Sequence, residues 1–581
     1  MASEFAEPDI VVGRQGALAC GSKGDAVSVQ GVIAAISGHP GFLEPRLNAY
    51  AKENGIANAL VRAYLEQGES VFKLISGPFS AAILDERNAT ALLAVDRSGI
   101  GTMSYAVAGG SLVFGASLDS INRHPAIKPE INRQAIYDYV YFHMIPGPET
   151  IYNGQYRLLP GECLVFGKGG ARVGAYWEMH FDEGQRRPFD ELKGEFLGTL
   201  RQAVQDAAQG AKTGAFLSGG TDSSTIAGML GEVTGAPART YSIGFEAEGY
   251  DEMEYARIAA NRFGTDHHEY YVTPDDVASA IPRIAAAYDQ PFGNSSAVPT
   301  YYCAKLARED GMERLLGGDG GDELFGGNSR YAKQRIFSLY GNIPRLLRKS
   351  VIEPVAFGMP GAIPPVMKLR SYIEQASIPM PARLETYNLL ERLGPGNVFT
   401  SGFLVGVDAS NPVRLLGEIY DKAHAKTLIN RMLALDLKFT LADNDLPKVV
   451  KTCHLAGVDI RFPLLADEVV AFSSRLDPEL KLKGTKLRYF FKEALRGFLP
   501  DEIITKRKHG FGLPFGEWLK NDGRLQELGR DSLNSLKQRD IIRPEFVDDL
   551  FRLHSESHSG YYGTMVWVLM MLEQWFRHHL D

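Results

Sequence analysis

Residues 214–224 read Gly214-Ala215-Phe216-Leu217-Ser218-Gly219-Gly220-Thr221-Asp222-Ser223-Ser224. The first four form a short apolar run, a buried strand in outline, and the two glycines that follow mark a turn. A helical pattern then continues through Thr225-Ile226-Ala227-Gly228-Met229-Leu230. Working outward, Phe189, Leu192, Phe196, Leu200, Ala203, Val204 and Ala207 recur at helical spacing on the amino-terminal side. On the other side come a strand from Thr240 to Phe245, a helix from Asp251 to about Phe263, and the strand-like His268-Glu269-Tyr270-Tyr271-Val272. Strands alternating with helices predict a parallel α/β sheet. From about Asn328 onward the pattern is largely helical, broken by proline and glycine.

The turn itself carries chemistry. Gly219 and Gly220 let the backbone approach a ligand closely, and the following helix N-terminus offers free N–H groups and positive dipole to phosphate. Ser218, Ser223 and Ser224 add hydroxyl donors, and Asp222 can hold Mg²⁺ against phosphate oxygens. A plain connection using glycine for geometry and serine or aspartate as helix caps is the alternative. No Gly-Lys-Ser/Thr follows, which excludes a Walker A loop. A second stretch, Leu315 to Gly327, packs three carboxylates (Asp319, Asp322, Glu323) and six glycines into thirteen residues. Oxygen ligands on a glycine-rich turn suit a Mg²⁺–pyrophosphate site, and the apolar pairs Leu315-Leu316 and Leu324-Phe325 predict a turn that is held and partly buried.

The first third is β-rich. Ala81-Ala82-Ile83-Leu84, Ala91 to Val95 and Ser111-Leu112-Val113-Phe114 are separated by Gly, Asp and Asn turns. The polar stretch from Phe181 to Pro188 predicts a linker, dividing the chain into residues 1–187 and 188–581. A length of 581 residues, 45% hydrophobic and 23% charged, describes a globular chain of several domains. The net charge of −8 gives no footprint for a nucleic-acid binder. Four distant cysteines (Cys20, Cys163, Cys303, Cys453) without a CxxC pair exclude a disulfide scaffold and a cysteine-rich zinc site. No signal peptide is evident at Met1-Ala2-Ser3, and the longest apolar run, Met565 to Leu572, falls short of the ~18 residues a membrane span needs. A soluble, cytoplasmic protein with no membrane or nucleic-acid partner is the expectation.

The Ser218–Ser224 turn resembles the PP-loop of ATP pyrophosphatases, and the two loops together resemble the asparagine synthetase family. Further matching segments are Thr240 to Phe245, Tyr288-Asp289-Gln290-Pro291-Phe292 to Tyr301, Val458 to Pro463 (read as a later helix and turn) and Lys506 to Pro514. Within the first third, Gly77-Pro78-Phe79, Asp96 to Ile100 and Leu158 to Glu162 match as well. The resemblance implies an amino-terminal glutaminase-like (Ntn-type) β-sandwich α+β domain, then a PP-loop parallel α/β domain with a helical carboxy-terminal part. It implies ATP and Mg²⁺ as cofactors. Asp222 and Asp322 would bind the metal. Ser218, Gly219, Gly220, Ser223 and Ser224 would cradle phosphates, with Leu217, Ile243, Gly244 and Gly318 around the adenosine. Asp319 would face the acyl-adenylate as acid/base. The family's transition-state lysine lies twelve residues before the Leu-Pro proline, here Pro500, which lands on Arg488, with Lys486 two residues earlier. A solvated pair on an amphipathic helix is the alternative reading of these two cations.

One departure redirects the function. Glutamine-dependent members use an amino-terminal cysteine nucleophile. Here Met1 is followed by Ala2 and Ser3, and nineteen residues precede Cys20-Gly21, so Cys20 is expected to be a small buried residue, with removal of a propeptide ahead of it as the alternative. The Arg-Gly and Asn-Gly-Glu segments that hold glutamine are also absent from Met1 to Ile75. An amide synthetase that closes an internal amide is therefore expected, acting on a peptide or small-molecule carboxylate and amine, with precursor-processing proteins as partners. Ile36-Ser37-Gly38-His39-Pro40, Gly77-Pro78-Phe79 and Tyr141 to Pro146 resemble the macrolactam cyclases of lasso peptides more than β-lactam synthetases. Ammonia-dependent asparagine synthesis and a non-catalytic scaffold are the alternatives.

Overall fold

The computed structural model describes residues 9–21, 24–247, 249–359, 364–506 and 512–581. Met1-Ala2-Ser3 and residues 507–511 of the basic segment lie outside the described residues.

Strands β1 (Gly24–Val29), β2 (Val32–Gly38), β3 (Phe79–Asp85), β4 (Thr90–Val95), β5 (Glu162–Gly167) and β6 (Gly170–Ala175) form an antiparallel sheet ordered β6-β5-β4-β3-β2-β1. Strand side chains alternate between faces. Val32, Ala34 and Ile36 therefore pack with helices α1 (Pro45–Asn54) and α2 (Ile56–Gln67). Ile33 and Ala35 join Leu93, Val95 and Met103 on the opposite face. There a three-stranded sheet of Ser104–Ala108, Ser111–Gly115 and Gln155–Arg157 completes the layers. Burial of alternate apolar positions is what fixes this register, since a one-residue slip would turn both cores outward.

Helix α3 (Phe189–Ala208) buries Leu192, Phe196, Leu200, Val204 and Ala207, the stripe its spacing predicts. It leads into β7 (Thr213–Phe216), α4 (Thr221–Thr234), β8 (Arg239–Phe245), α5 (Met253–Phe263), β9 (Asp266–Val272), α6 (Ala297–Glu309) and β10 (Arg314–Leu316). The fifth strand, β11 (Asp459–Arg461), is supplied from more than 140 residues downstream. All five strands are parallel, ordered β9-β8-β7-β10-β11.

That last strand corrects the reading of Val458 to Pro463 as a helix and turn. The helix Leu446–Ala456 ends at Gly457 in the left-handed region (φ 78°), and the chain straightens so that Ile460 lies beside Leu315. Three residues are too few to display a strand period.

The Phe181–Pro188 stretch is docked rather than loose. Phe181 is buried, and the Glu183 carboxylate accepts the backbone N–H groups of Lys426 and Thr427, the Thr427 hydroxyl at 2.6 Å and the Asn430 amide at 2.8 Å. The carboxy-terminal part is helical, including α7 (Ser329–Gly341) and α8 (Ser559–His579). Helix α8 is apolar on all sides because it is a core helix: Trp567, Leu569, Met570 and Leu572 are buried. No described helix is long and apolar enough to cross a membrane.

Candidate active site

The two glycine-rich turns meet at the carboxyl ends of the central strands β7 and β10, where an open parallel sheet places its ligands. Gly219 has φ +67°, and a Cβ there would lie 2.5 Å from the backbone of Ala256. Gly318 is equally constrained, with a would-be Cβ 2.8 Å from the Ser223 amide nitrogen, so the two turns interlock backbone to backbone. Helix α4 begins at Gly220 with no side-chain cap, leaving first-turn N–H groups facing the turn. The Ser223 hydroxyl accepts the Ser218 amide at 3.1 Å and contacts the Ser218 hydroxyl at 2.9 Å. The Ser224 hydroxyl is buried without a hydrogen-bond partner among the described residues. Leu217 donates its amide to the Tyr241 carbonyl at 2.9 Å, and the Ser242 hydroxyl donates to the Leu217 carbonyl. Ile243 and Gly244 follow on β8, half-buried and buried respectively, and a Cβ on Gly244 would meet the Tyr271 ring.

Asp222 and Asp322 converge on a single cation, Arg488. Its Nη1 donates to Asp222 Oδ2 at 2.6 Å, to Asp322 Oδ1 at 3.0 Å and to the Thr221 hydroxyl at 3.0 Å, while Nη2 donates to Asp222 Oδ1. Burial alone would make this guanidinium less basic, but the Asp222 and Asp322 charges outweigh it and raise its pKa. Arg488 sits in the left-handed region (φ 53°, ψ 37°), capping the helix Tyr489–Ala494. A non-glycine residue there costs about 1–2 kcal/mol. The strained turn is held by the Arg488 amide donating to the Gly326 carbonyl at 3.2 Å and by the guanidinium lying 4.1 Å over the Phe491 ring. Any Cβ on Gly321 or Gly327 would collide with the Asp222 or Asp322 carboxylate, so these glycines make room for the charged cluster.

Of the two cations the spacing singles out, only Arg488 reaches the carboxylates. Lys486 is exposed on a hairpin formed by Leu482–Lys483 and Lys486–Leu487, and the amphipathic-helix reading is corrected for both. The left-handed turn at Arg488 is the reason: it sends side chains two residues apart in unrelated directions. Lys492, one turn beyond Arg488, is a nearby cation whose pKa is lowered by burial and by the Arg488 charge.

Asp319 is half-buried, and its pKa is raised to about 6, chiefly by burial, with Asp445 and Asp222 adding to the effect against Lys448. Lys448 donates to Asp445 at 2.8 Å. Burial would lower its pKa, but Asp445 and Asp319 hold it above the usual lysine value. Sequence reasoning missed Asp445, Lys448 and Lys492. The available signal was a polar cluster, Asp443-Asn444-Asp445, breaking an apolar helical run. Asp436–Asp445 is a π-helical segment, a wide turn that recurs at functional sites.

The donor set at Asp222 and Asp322 fits Mg²⁺. Two hard carboxylates already hold one cationic atom between them, beside an uncapped helix N-terminus.

The asparagine synthase family profile matches residues 195–577, and a glutamine amidotransferase domain profile matches residues 47–177. Asparagine synthetase [glutamine-hydrolyzing] 1 of Bacillus subtilis is 24% identical over 527 residues, covering 89% of this chain and 80% of that protein. A putative asparagine synthetase [glutamine-hydrolyzing] of Mycobacterium tuberculosis is 27% identical, covering 90% of this chain and 79% of the relative. Putative asparagine synthetase [glutamine-hydrolyzing] 2 of Methanocaldococcus jannaschii is 30% identical over 53% of this chain and 60% of its own length. With a glycine-rich cradle, a paired-carboxylate cation site and a profile match over most of its length, the chain belongs to the asparagine synthase family and is a carbon–nitrogen ligase that uses ATP.

Proposed function

We propose that the protein adenylates a substrate carboxylate and couples it to an amine without hydrolysing glutamine, closing a macrolactam within a peptide. The carboxylate oxygen attacks the α-phosphorus of ATP, the bond to the β-phosphate breaks, and pyrophosphate leaves. The amine nitrogen then attacks the acyl carbon, AMP departs, and Asp319 takes the N–H proton. When bound at Asp222 and Asp322, Mg²⁺ neutralises phosphate charge. Ser218, Ser223, Gly219 and the first-turn amides of α4 hold phosphate oxygens, and Leu217, Ile243, Gly244 and Gly318 border the adenosine. Arg488 supplies fixed positive charge to the leaving pyrophosphate.

The observation that carries the adenylating step is the convergence of Asp222 and Asp322 on one cation at the PP-loop. Asp319 supports the coupling step: a carboxylate poised at about 6 is mostly ionised at neutral pH yet basic enough to accept a proton.

Two observations favour a peptide. A cavity of about 140 Å³ lies against the π-helical segment, lined by apolar side chains such as Met144, Leu384, Leu416 and Leu435 together with the polar Arg330, Glu385 and Asp436. Phe142 and Phe439 stack at 5.3 Å on its wall. Asn444, next to Asp445, lines the same cavity, so the segment runs from the Asp319 centre to a cavity that offers both apolar and charged groups to a chain. Glutamine independence is favoured by the cysteines: burial pushes the thiols of Cys163, Cys303 and Cys453 up, away from nucleophilic thiolate. Cys20 is buried on a strand. A second reading, asparagine formation from aspartate and ammonia, is favoured by the names of the relatives.

The deciding experiment incubates a precursor peptide with enzyme and Mg·ATP. Loss of the mass of one water from the peptide, with AMP release independent of ammonium, is expected. AMP that forms only with aspartate and ammonium would establish the second reading instead.

A further inference from the structure

The segment after the Gly326-Gly327 turn is chemically unlike the rest of the chain. Residues 329–359 and 364–377 hold eight Lys and Arg against two acidic residues, Glu353 and Glu374, and even with Arg330 and Arg335 paired outside the segment to Asp436 and Glu479 the lobe stays positive in a protein of net −8. The same segment fails to bury its apolar residues. Leu346, Leu347, Val351, Val355, Phe357 and Met359 are 76%, 50%, 51%, 52%, 44% and 38% exposed. Met367 and Leu369, at 52% and 39%, lie on the helix Pro364–Ser377.

These residues are not a misplaced core. The lobe has a core of its own in Phe337, Tyr340, Ala356, Ile373 and Ala376. Arg370 fastens the two halves by donating to the carbonyls of Ala356 at 3.0 Å and Phe357 at 2.8 Å. Along the helical run from Arg345 to Gly358, Arg348, Ile352 and Ala356 turn inward while Leu347, Val351 and Val355 recur every four residues facing solvent. Arg345 and Lys349, exposed and four apart, flank that stripe, and Lys368 is exposed beside Met367 and Leu369. The helix is thus amphipathic in the sense of an interfacial helix, with aliphatic and phenylalanine side chains outward and cations alongside.

We propose that this lobe is a docking surface for an anionic phospholipid membrane, holding the enzyme peripherally with no span. Charge complementarity selects the occupant: a positive lobe on a negative protein is drawn to an anionic surface while the remainder of the molecule is repelled from it. The same charge opposes a second copy of the chain, because a two-fold contact would bring like charges together. The lobe begins directly after the turn that carries Asp322, so docking would present the adenylating centre to substrates delivered at the membrane. This inference stands apart from the peptide reading and requires only the lobe.

The test is flotation of the full-length protein with vesicles of phosphatidylcholine alone or phosphatidylcholine with one quarter phosphatidylglycerol, at low salt and in 0.5 M NaCl. Binding to the anionic vesicles only, lost in high salt, is expected. The triple variant Arg345→Glu/Lys349→Glu/Lys368→Glu should bind the anionic vesicles at least on the order of 100-fold more weakly. Its ATP–pyrophosphate exchange should match wild type, which distinguishes failure of docking from failure of the adenylating site. Leu346→Trp gives an independent readout, a blue-shifted emission on anionic vesicles alone. No vesicle binding by wild type, or equal binding to both compositions, would overturn the proposal. So would a concentration-dependent dimer in sedimentation that the triple variant abolishes, or salt-sensitive binding of an acidic protein in place of vesicles.

Discussion

His39, on the amino-terminal domain, accepts a hydrogen bond at Nδ1 from Arg461 Nη2 at 2.7 Å, and its Nε2 faces Asp459 Oδ2 at 3.1 Å. An acceptor at Nδ1 and a donor at Nε2 define one neutral tautomer. Both partners are on β11, and the Arg461 carbonyl accepts the Gly317 amide at 2.8 Å, two residues before Asp319. The amino-terminal domain is thereby tied to the base of the turn that carries Asp319. Gly77 and Arg97 extend the same seam to Asp467, at 3.4 and 3.3 Å.

His39→Ala should therefore slow turnover by between ~10- and ~100-fold through misplacement of Asp319, with the KM for ATP nearly unchanged. His39→Gln, which retains one hydrogen bond, should recover part of the loss. Unfolding should show a destabilisation of only about 1–2 kcal/mol, because Arg314 still pairs Asp459 at 2.9 Å. Steady-state kinetics of all three proteins checks this, and equal turnover in His39→Ala and wild type would remove the seam from the mechanism.

Asp222→Ala and Asp322→Ala should each reduce AMP production by ~100-fold or more, since each removes a carboxylate from the cation site. Raising Mg²⁺ should recover activity partly in Asp→Glu variants and little in Asp→Ala. Wild-type rates in either alanine variant would sink the metal assignment.

Arg488→Ala leaves two carboxylates beside a vacated buried position and should cost about 3–5 kcal/mol of stability in the absence of Mg²⁺. Adding Mg²⁺ should raise its Tm more than that of wild type, because the metal replaces the missing charge. Arg488→Lys should retain stability better than activity, for an ammonium cannot span both carboxylates as the planar fork does. Calorimetry with and without Mg²⁺ separates these effects.

The pKa of Asp319 near 6 sets a pH profile. In the proposed mechanism its ionised form accepts the proton, so coupling should fall tenfold per pH unit below about 6 and level off above. The stability sign is opposite. A folded-state carboxyl pKa above its ordinary value means that ionisation disfavours the fold at neutral pH, and the penalty fades as pH drops through 6. Asp319→Asn should accordingly raise Tm at pH 7.5, by on the order of 1 kcal/mol of stability, while slowing coupling by ~100-fold or more. A variant that loses both stability and activity would contradict this account.

How much of this was legible in the chain differs from element to element. The Ser218–Ser224 glycine turn, the acidic glycine turn and α3 could be read because their information is local: glycines at a turn, carboxylates on it, an apolar stripe with a period of 3.6. The apolar pairs Leu315-Leu316 and Leu324-Phe325 also foretold a held turn, and all four side chains are buried. The strand β11 was not legible, because three residues carry no period and its partners lie 145 positions earlier in sequence.

The same division holds at the site. By itself the sequence determined which residue types were available to cradle phosphate and bind a metal, since those demands fix residue type and spacing along one loop. Only the tertiary structure decided which cation meets the Asp222 and Asp322 carboxylates. Lys486 and Arg488 are two residues apart: the family spacing lands on Arg488, while the family's residue type, a lysine, stands at Lys486. A single left-handed backbone turn places Arg488 between Asp222 and Asp322 and leaves Lys486 in solvent. Asp445 and Lys448 reach Asp319 from a different helix for the same reason: Coulombic contact acts through space, and only the fold sets that distance.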